Sequence, residues 1–253
     1  MTLPILELPV MQYEGERPER KVVPIIKEMT LEIWLNDRLL VEIACAGMHL
    51  EELALGYLKS ENVIVAMENI SGIEIDDTIP RVRVISKGKE TSERGARKIM
   101  SSGARGKAGT LPAKPVDSSL SIKAQRVLGL MEELLAATAI HEITKGTHCS
   151  AIADGERILC LREDIGRHNT IDMLTGYALK NGMDGGSYAV LTTGRISREI
   201  TEKAWIQGIP VIISHSAPTS GAVELALTAG ITLIGYVRNG RMNVYTNYTR
   251  VEF

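Results

Sequence analysis

The stretch that decides the fold is SYAVLTTGRISREITEKAWIQGIPVIISHSAPTSGAVELALTAGITLIGYV, residues 187–237. Three short apolar runs, at 187–191, 210–214 and 231–237, alternate with two longer segments, 197–207 and 220–229. The runs are brief and rich in Val and Ile, as buried strands are, while the longer segments carry apolar residues at helical spacing. Strand, helix, strand, helix, strand with short joins implies crossover connections and parallel pairing. An α/β fold follows: a layered mixed sheet whose second half is a parallel βαβαβ unit.

Working toward the amino terminus, a helix is expected over about 169–180, ending at Asn181-Gly182. Asp154-Gly155 marks a hairpin between strands at 151–153 and 158–161. Ser121 suits the N-cap of a helix through Thr138, with Val127, Leu128, Met131, Leu134 and Leu135 as its apolar face. In the first half, 30–35 and 39–43 read as strands around an Asn36-Asp37 turn, 49–60 as a helix, and 73–76 and 81–85 as short strands. Between 87 and 115 the apolar period dissolves. Basic residues dominate there, among them Lys87, Arg94, Arg97, Arg105 and Lys107, so a long flexible loop is expected, either a solvated linker or a functional lid. The chain thus divides into an amino-terminal α+β region (1–110, with the basic loop) and an α/β ligand-binding domain (116–253), or forms one continuous domain.

Composition limits the function. Hydrophobic residues make up 44% of the 253 and charged residues 24%, ordinary values for a globular protein with a sizeable core. A net charge of −2 gives no global attraction to nucleic acid or to an anionic membrane, so neither is an expected partner. The three cysteines, Cys45, Cys149 and Cys160, are too few and too far apart for a disulfide framework, and they fit a reducing compartment. The apolar start is short and lacks basic residues, unlike a signal peptide or a membrane span, so a cytoplasmic location is expected.

Ligands of open α/β sheets bind beyond the carboxyl ends of the strands. Two junctions stand there: Thr192-Thr193-Gly194-Arg195-Ile196-Ser197, and Ser214-His215-Ser216-Ala217-Pro218-Thr219. Both lead into helix amino termini, where free N–H groups and the dipole favour an anion, and Arg195 adds a guanidinium that can grip phosphate. The plainer alternative is that Ser197 and Thr219 only cap their helices. A denser polar run, Arg162-Glu163-Asp164-Ile165-Gly166-Arg167-His168-Asn169 with Asp172, precedes them. Gly166 allows an unusual backbone angle, and Arg167, His168 and Asn169 offer donors and acceptors; a charged surface turn capped by Asn169 is the alternative. Upstream lies Gly146-Thr147-His148-Cys149. A neighbouring imidazolium would activate Cys149, yet adjacent strand residues face opposite ways, which favours an ordinary strand cysteine. No zinc-deaminase P-C-x-x-C follows His49-Leu50-Glu51, so no metal site is expected, and no P-loop or G-x-G-x-x-G is present.

These motifs resemble the central signature of the FdhD family. Similarity extends through Gly146-Thr147-His148, the run 162–169 with Asp172, Thr193-Gly194-Arg195-Ile196-Ser197 with Glu199, Lys203-Ala204, Gly208-Ile209-Pro210 and Ser216-Ala217-Pro218-Thr219. It continues through 230–235, Arg238 and 241–245, and more weakly over 31–64. The resemblance implies a cytidine-deaminase-like fold without zinc, a homodimer, and an accessory role in maturing formate dehydrogenase. It further implies binding of a bis-guanine-dinucleotide pterin cofactor of molybdenum or tungsten, with GDP as a mimic that should bind. Family members pass persulfide sulfur from a cysteine desulfurase to that cofactor. Tyr236, Val237, Arg238, Asn239, Gly240 and Arg241 are cofactor contacts by the same similarity.

One departure is decisive. The family carries C-x-x-C in the long loop, where this chain has Ser101-Ser102-Gly103-Ala104-Arg105-Gly106-Lys107. Persulfide chemistry needs an accessible thiol, which neither serine nor arginine supplies. Whether the chain is an enzyme is therefore open. Either it binds and delivers cofactor, or regulates, without carrying sulfur; or Cys149 carries it from another position; or the scaffold serves another ligand.

Overall fold

A computed structural model describes residues 3–15, 17–76, 78–87, 97–99 (main chain only), 111–112 and 114–253. It begins with a ribbon that the sequence pattern did not suggest. Strand β1 (Ile5–Glu14) pairs antiparallel with β2 (Arg17–Ile26), from Ile5↔Ile26 to Glu14↔Arg17. The expected hairpin follows as β3 (Met29–Leu35) and β4 (Arg38–Cys45), turning through Asn36 at φ 52°, the left-handed angle that asparagine tolerates. Helix α1 (Leu50–Ser60) and strands β5 (Ile70–Asp76) and β6 (Arg81–Ser86) come next. Within the stretch expected as loop, β7 (Arg97–Ile99) pairs parallel with β4; the rest of 88–110 lies outside the described residues. These strands form a sheet in the order β5-β6-β3-β4-β7.

The second half begins with β8 (Ile122–Lys123) and α2 (Ala124–Ala136). Ser121 does not cap α2; its hydroxyl donates to Glu252 instead, at 2.6 Å. The helix also stops before Thr138, and a separate α3 (Ala139–Thr144) follows. Then come β9 (His148–Ala153), β10 (Ile158–Asp164), α4 (Arg167–Lys180), β11 (Ala189–Thr192), α5 (Arg198–Gln207) and β12 (Val211–Ser214). The chain closes with α6 (Ser220–Ala229), β13 (Thr232–Arg238), β14 (Arg241–Val244) and β15 (Val251–Glu252), which pairs with β8. The central sheet runs β10-β9-β11-β12-β13-β14, with β11, β12 and β13 parallel as the alternation implied and the other pairs antiparallel.

Period-2 alternation sorts the strand residues between two faces. Ala189, Leu191, Val211 and Ile213 pack against Val127, Leu130, Met131 and Leu134 of α2. Val190, Ile212 and Leu233 pack on the other side against α4, α5 and α6. A further layer lies beyond α4. Its Met173 joins the core of α1 with β3, β4 and β6. Helix α4 is thus enclosed on both sides, which explains why its sequence shows no single apolar stripe. Gly56 and Gly176 let the backbones of α1 and α4 meet, since a Cβ at either would fall within 2.0 Å of a carbonyl oxygen on the other helix. Among the described residues no helix is long and apolar enough to cross a membrane.

Candidate functional site

Parallel pairing places the carboxyl ends of β11, β12 and β13 on one edge of the central sheet. The antiparallel β9 begins there, with His148 opposite Asp164 of β10. Helices α4, α5 and α6 all start at this edge, so three groups of free N–H donors and three positive dipole ends gather beside it.

The two turns singled out by sequence are stitched together. Ser214 Oγ donates to the Gly194 carbonyl at 2.7 Å, and the Ser216 N–H donates to Ser214 Oγ at 2.9 Å. The His215 N–H reaches the Thr192 carbonyl at 3.1 Å, and Ile196 forms a parallel bridge with Pro218. On the other flank Thr193 Oγ1 accepts from the Cys149 N–H at 3.1 Å. Ser197 and Thr219 cap α5 and α6, accepting from the Ile200 and Ala222 N–H groups.

Basic side chains gather at the β9–β11 side. The stem of Arg167, first residue of α4, lies over Gly194, where a Cβ would fall 3.0 Å from Arg167 Cβ and 3.1 Å from Cδ. Burial and then Arg195 push the Arg167 guanidinium below its ordinary range, with Glu199 opposing. Its Nε has no hydrogen-bond partner among the described residues. His148 is held below the usual imidazole range by burial, then by Arg167, His141 and Arg195. Cations that depress one another in this way leave a place short of negative charge. Buried His168 sits beside them, with Nε2 3.1 Å from the Glu199 carboxylate. Chemically, the arrangement suits anionic oxygens.

Much of the polar run 162–172 turns inward instead. Arg162 clamps Glu52 with two hydrogen bonds, at 2.6 and 2.8 Å. Glu163 accepts from the Ile140 N–H at 2.8 Å. Asp164 is fully buried and accepts from the Ala46 N–H, the Gly166 N–H and Asn169 Nδ2, while burial still pushes its carboxyl up to about 6. Asn169 also donates to the Ala44 carbonyl, at 2.8 Å. Asp172 accepts from Ser60 Oγ at 2.9 Å and pairs with Lys203, inside the packing of α1, α4 and α5. Gly166 has an ordinary extended backbone (φ −105°), contrary to expectation; its glycine is needed for room, since a Cβ would lie 2.9 Å from Asn169 Nδ2. Of this run, Arg167 and His168 are the two whose side chains belong to the basic group.

The other expected residues divide similarly. Gly146 lies at the foot of the amino-terminal ribbon, where a Cβ would meet Ile26 at 2.8 Å. Thr147 is buried, and its hydroxyl has no hydrogen-bond partner among the described residues. The Tyr236 N–H donates to the Ser216 carbonyl at 2.9 Å, joining β13 to the second turn. Val237 is core, whereas Arg238, Asn239, Gly240 and Arg241 are exposed at the β13–β14 turn. Arg238 stacks on the Tyr236 ring, 3.7 Å from its centroid. Beside that turn, between it and α2, is a cavity of about 260 Å³ that reaches Glu132 and His215. Sequence reasoning had included His215 in the second junction but had missed Glu132; the width of the apolar face of α2, which takes in Leu128 and Leu135, was the available signal.

All three thiols are buried. Cys149 points into the α2 core, where burial and then Glu163 push its thiol well up. Burial likewise raises Cys45 to about 12 and Cys160 to about 11. Among the described residues no three of His, Cys, Asp or Glu are grouped as metal ligands.

Comparison with known proteins places this geometry in a lineage. The profile of the FdhD/NarQ family matches residues 26–252. The sulfur carrier protein FdhD of Bacillus subtilis (strain 168) is 35% identical over 251 residues, covering 96% of this chain and 96% of that protein. Its namesake from Staphylococcus aureus (strain MRSA252) is 32% identical over 251 residues, covering 96% and 95%. A crystal structure from Desulfotalea psychrophila, assigned as a formate dehydrogenase accessory protein, superimposes with a TM-score of 0.82 at 24% identity, over 99% of this chain and 100% of that one, and shows the same fold. The chain belongs to the FdhD/NarQ family.

Proposed function

We propose that this chain binds the guanylated pterin cofactor of molybdenum or tungsten at the carboxyl edge of β11–β13 and hands it on during formate dehydrogenase maturation, without carrying sulfur on a cysteine of its own. The observation that carries the proposal is the convergence of His148, Arg167 and Arg195 on two joined turns at three helix amino termini. Phosphate oxygens would relieve the mutual repulsion of these cations and accept from the helix N–H groups. From the end of β11 to that of β13 is two strand steps, about 10 Å, a span that a pyrophosphate with its attached groups can bridge. The client follows from the names of the relatives, a sulfur carrier and a formate dehydrogenase accessory protein. A homodimer working in the cytoplasm, with a cysteine desulfurase as upstream partner of the family's reaction, completes the reading.

Calorimetry with GDP as cofactor mimic tests it. One GDP per chain is expected, weakened about tenfold or more by Arg167→Ala or Arg195→Ala. Folded protein that gives no GDP signal would sink the proposal. The absence of sulfur transfer has its own support, since a carrier needs an accessible thiolate and each thiol here is buried with a raised pKa. Incubation with a cysteine desulfurase and cysteine should leave the intact mass unchanged. A gain of about 32 Da, one sulfur, that Cys149→Ser abolishes would restore the carrier role.

A further inference from the structure

Three hydroxyl side chains stand where the core pattern calls for apolar ones. Ser150 of β9 and Thr192 of β11 are direct cross-strand partners, and alternation puts them on the sheet face of Ile152 and Val190, toward α4. Thr170 of α4 meets them there, and all three are buried. Ser150 Oγ lies 2.7 Å from Thr170 Oγ1 and 3.0 Å from Thr192 Oγ1. The ends of this hydroxyl chain are fixed. Thr170 Oγ1 donates to the Arg167 carbonyl at 2.8 Å, and Thr192 Oγ1 accepts from the Gly194 N–H at 3.2 Å. The Gly194 carbonyl accepts from Ser214 Oγ, which carries the connection on to the second turn.

Paired buried hydroxyls stabilise a core little more than apolar groups of the same shape do. What they add is a fixed geometry between the groups they join. Arg167 needs one. Among the described residues no carboxylate pairs with its guanidinium, whereas Glu52 clamps Arg162. Arg167 Nε likewise has no partner among them. Its direction is therefore set by its own main chain and by the packing of its stem over Gly194. Those are the two places at which the hydroxyl chain ends.

We infer that Ser150, Thr170 and Thr192 are positioning residues, which hold Arg167 and the Gly194 turn in the register at which both meet a phosphate. The inference rests on the proposed function and goes beyond it, since these buried groups act from behind the cradle, through Arg167, and not on the ligand.

GDP calorimetry on a double-mutant cycle tests it. Thr170→Val keeps the shape and removes the hydroxyl. It should weaken GDP about fivefold in the wild-type chain but less than about twofold in the Arg167→Ala background. Thr170→Ser, which returns the hydroxyl, should bind GDP within about twofold of wild type. Ser150→Ala breaks the same chain at its middle, so it should match Thr170→Val, and the two together should be no weaker than either alone. A purely structural contribution would instead weaken GDP alike in both backgrounds. Equal losses in the two backgrounds, undiminished affinity in Thr170→Val and Ser150→Ala, or failure of Thr170→Ser to restore binding overturns the positioning role and leaves the phosphate cradle standing. Wild type that binds no GDP overturns both.

Discussion

A Cβ on Gly56 of α1 would fall 1.7 Å from the main-chain oxygen of Asp172 on α4, and one on Gly176 of α4 would fall 2.0 Å from the oxygen of Glu52 on α1. Neither obstacle is a flexible side chain, so the helices themselves must separate to admit a methyl group. Gly56→Ala and Gly176→Ala should each destabilise the fold by at least about 2 kcal/mol, although alanine is the better helix former. A fall in the urea midpoint with an unchanged slope is the expected readout. Unchanged midpoints would show that the helices do not meet this closely.

The Asp172–Lys203 pair is sealed within the same helix packing, with Ser60 on the same carboxylate. Lys203→Met strands a buried charge and should cost about 3–5 kcal/mol, whereas Lys203→Met with Asp172→Leu should recover most of that loss. Simple additivity in the double-mutant cycle would contradict the pairing.

Burial of the three thiols predicts their chemistry. An aromatic disulfide reagent should label none of Cys45, Cys149 and Cys160 in the native chain during the time it labels all three in urea. Rapid native labelling of Cys149 would reopen it as a carrier.

Acid sensitivity should come partly from His148 and His215, both held below 6.5 by burial. Between the depressed folded value and 6.5 the unfolded chain binds more protons, so stability rises with pH through this window and is lost as pH falls. Asp164 opposes this: with its carboxyl raised from 3.8 to about 6, the folded chain takes that proton first and gains stability on acidification. The histidine part is therefore read by difference. From about pH 7 to about pH 5 the double variant His148→Gln with His215→Gln should lose less stability than wild type. Parallel losses would exclude these two residues.

The parallel core was legible because its signals are local: short Val/Ile runs, helical spacing and hydroxyl-rich joins recur in order over 187–237. The joining of the turns at Thr192–Arg195 and Ser214–Thr219 follows from parallel pairing alone. The ribbon of β1 and β2 was not legible, since apolar and charged residues are mixed on both of its faces and Leu6, Met11, Tyr13 and Val22 stay exposed. The run 162–172 reads as a ligand-facing cluster because sequence does not separate a polar group turned to a ligand from one satisfied in the core. Glu163, Asp164, Asn169 and Asp172 all have protein partners. For Cys149, strand alternation had already indicated the inward position.

Because α4 starts at the basic cradle and is walled by cores on both sides, it behaves as an embedded rod rather than a surface helix. Amides in its middle turns, around Met173, have no partial opening available that would bare them to solvent. Their exchange with deuterated water should therefore track global unfolding, while the outlying ribbon exchanges quickly and independently. A guest that tightens Arg167 would then be registered as slower exchange across the whole molecule, not just at its binding edge.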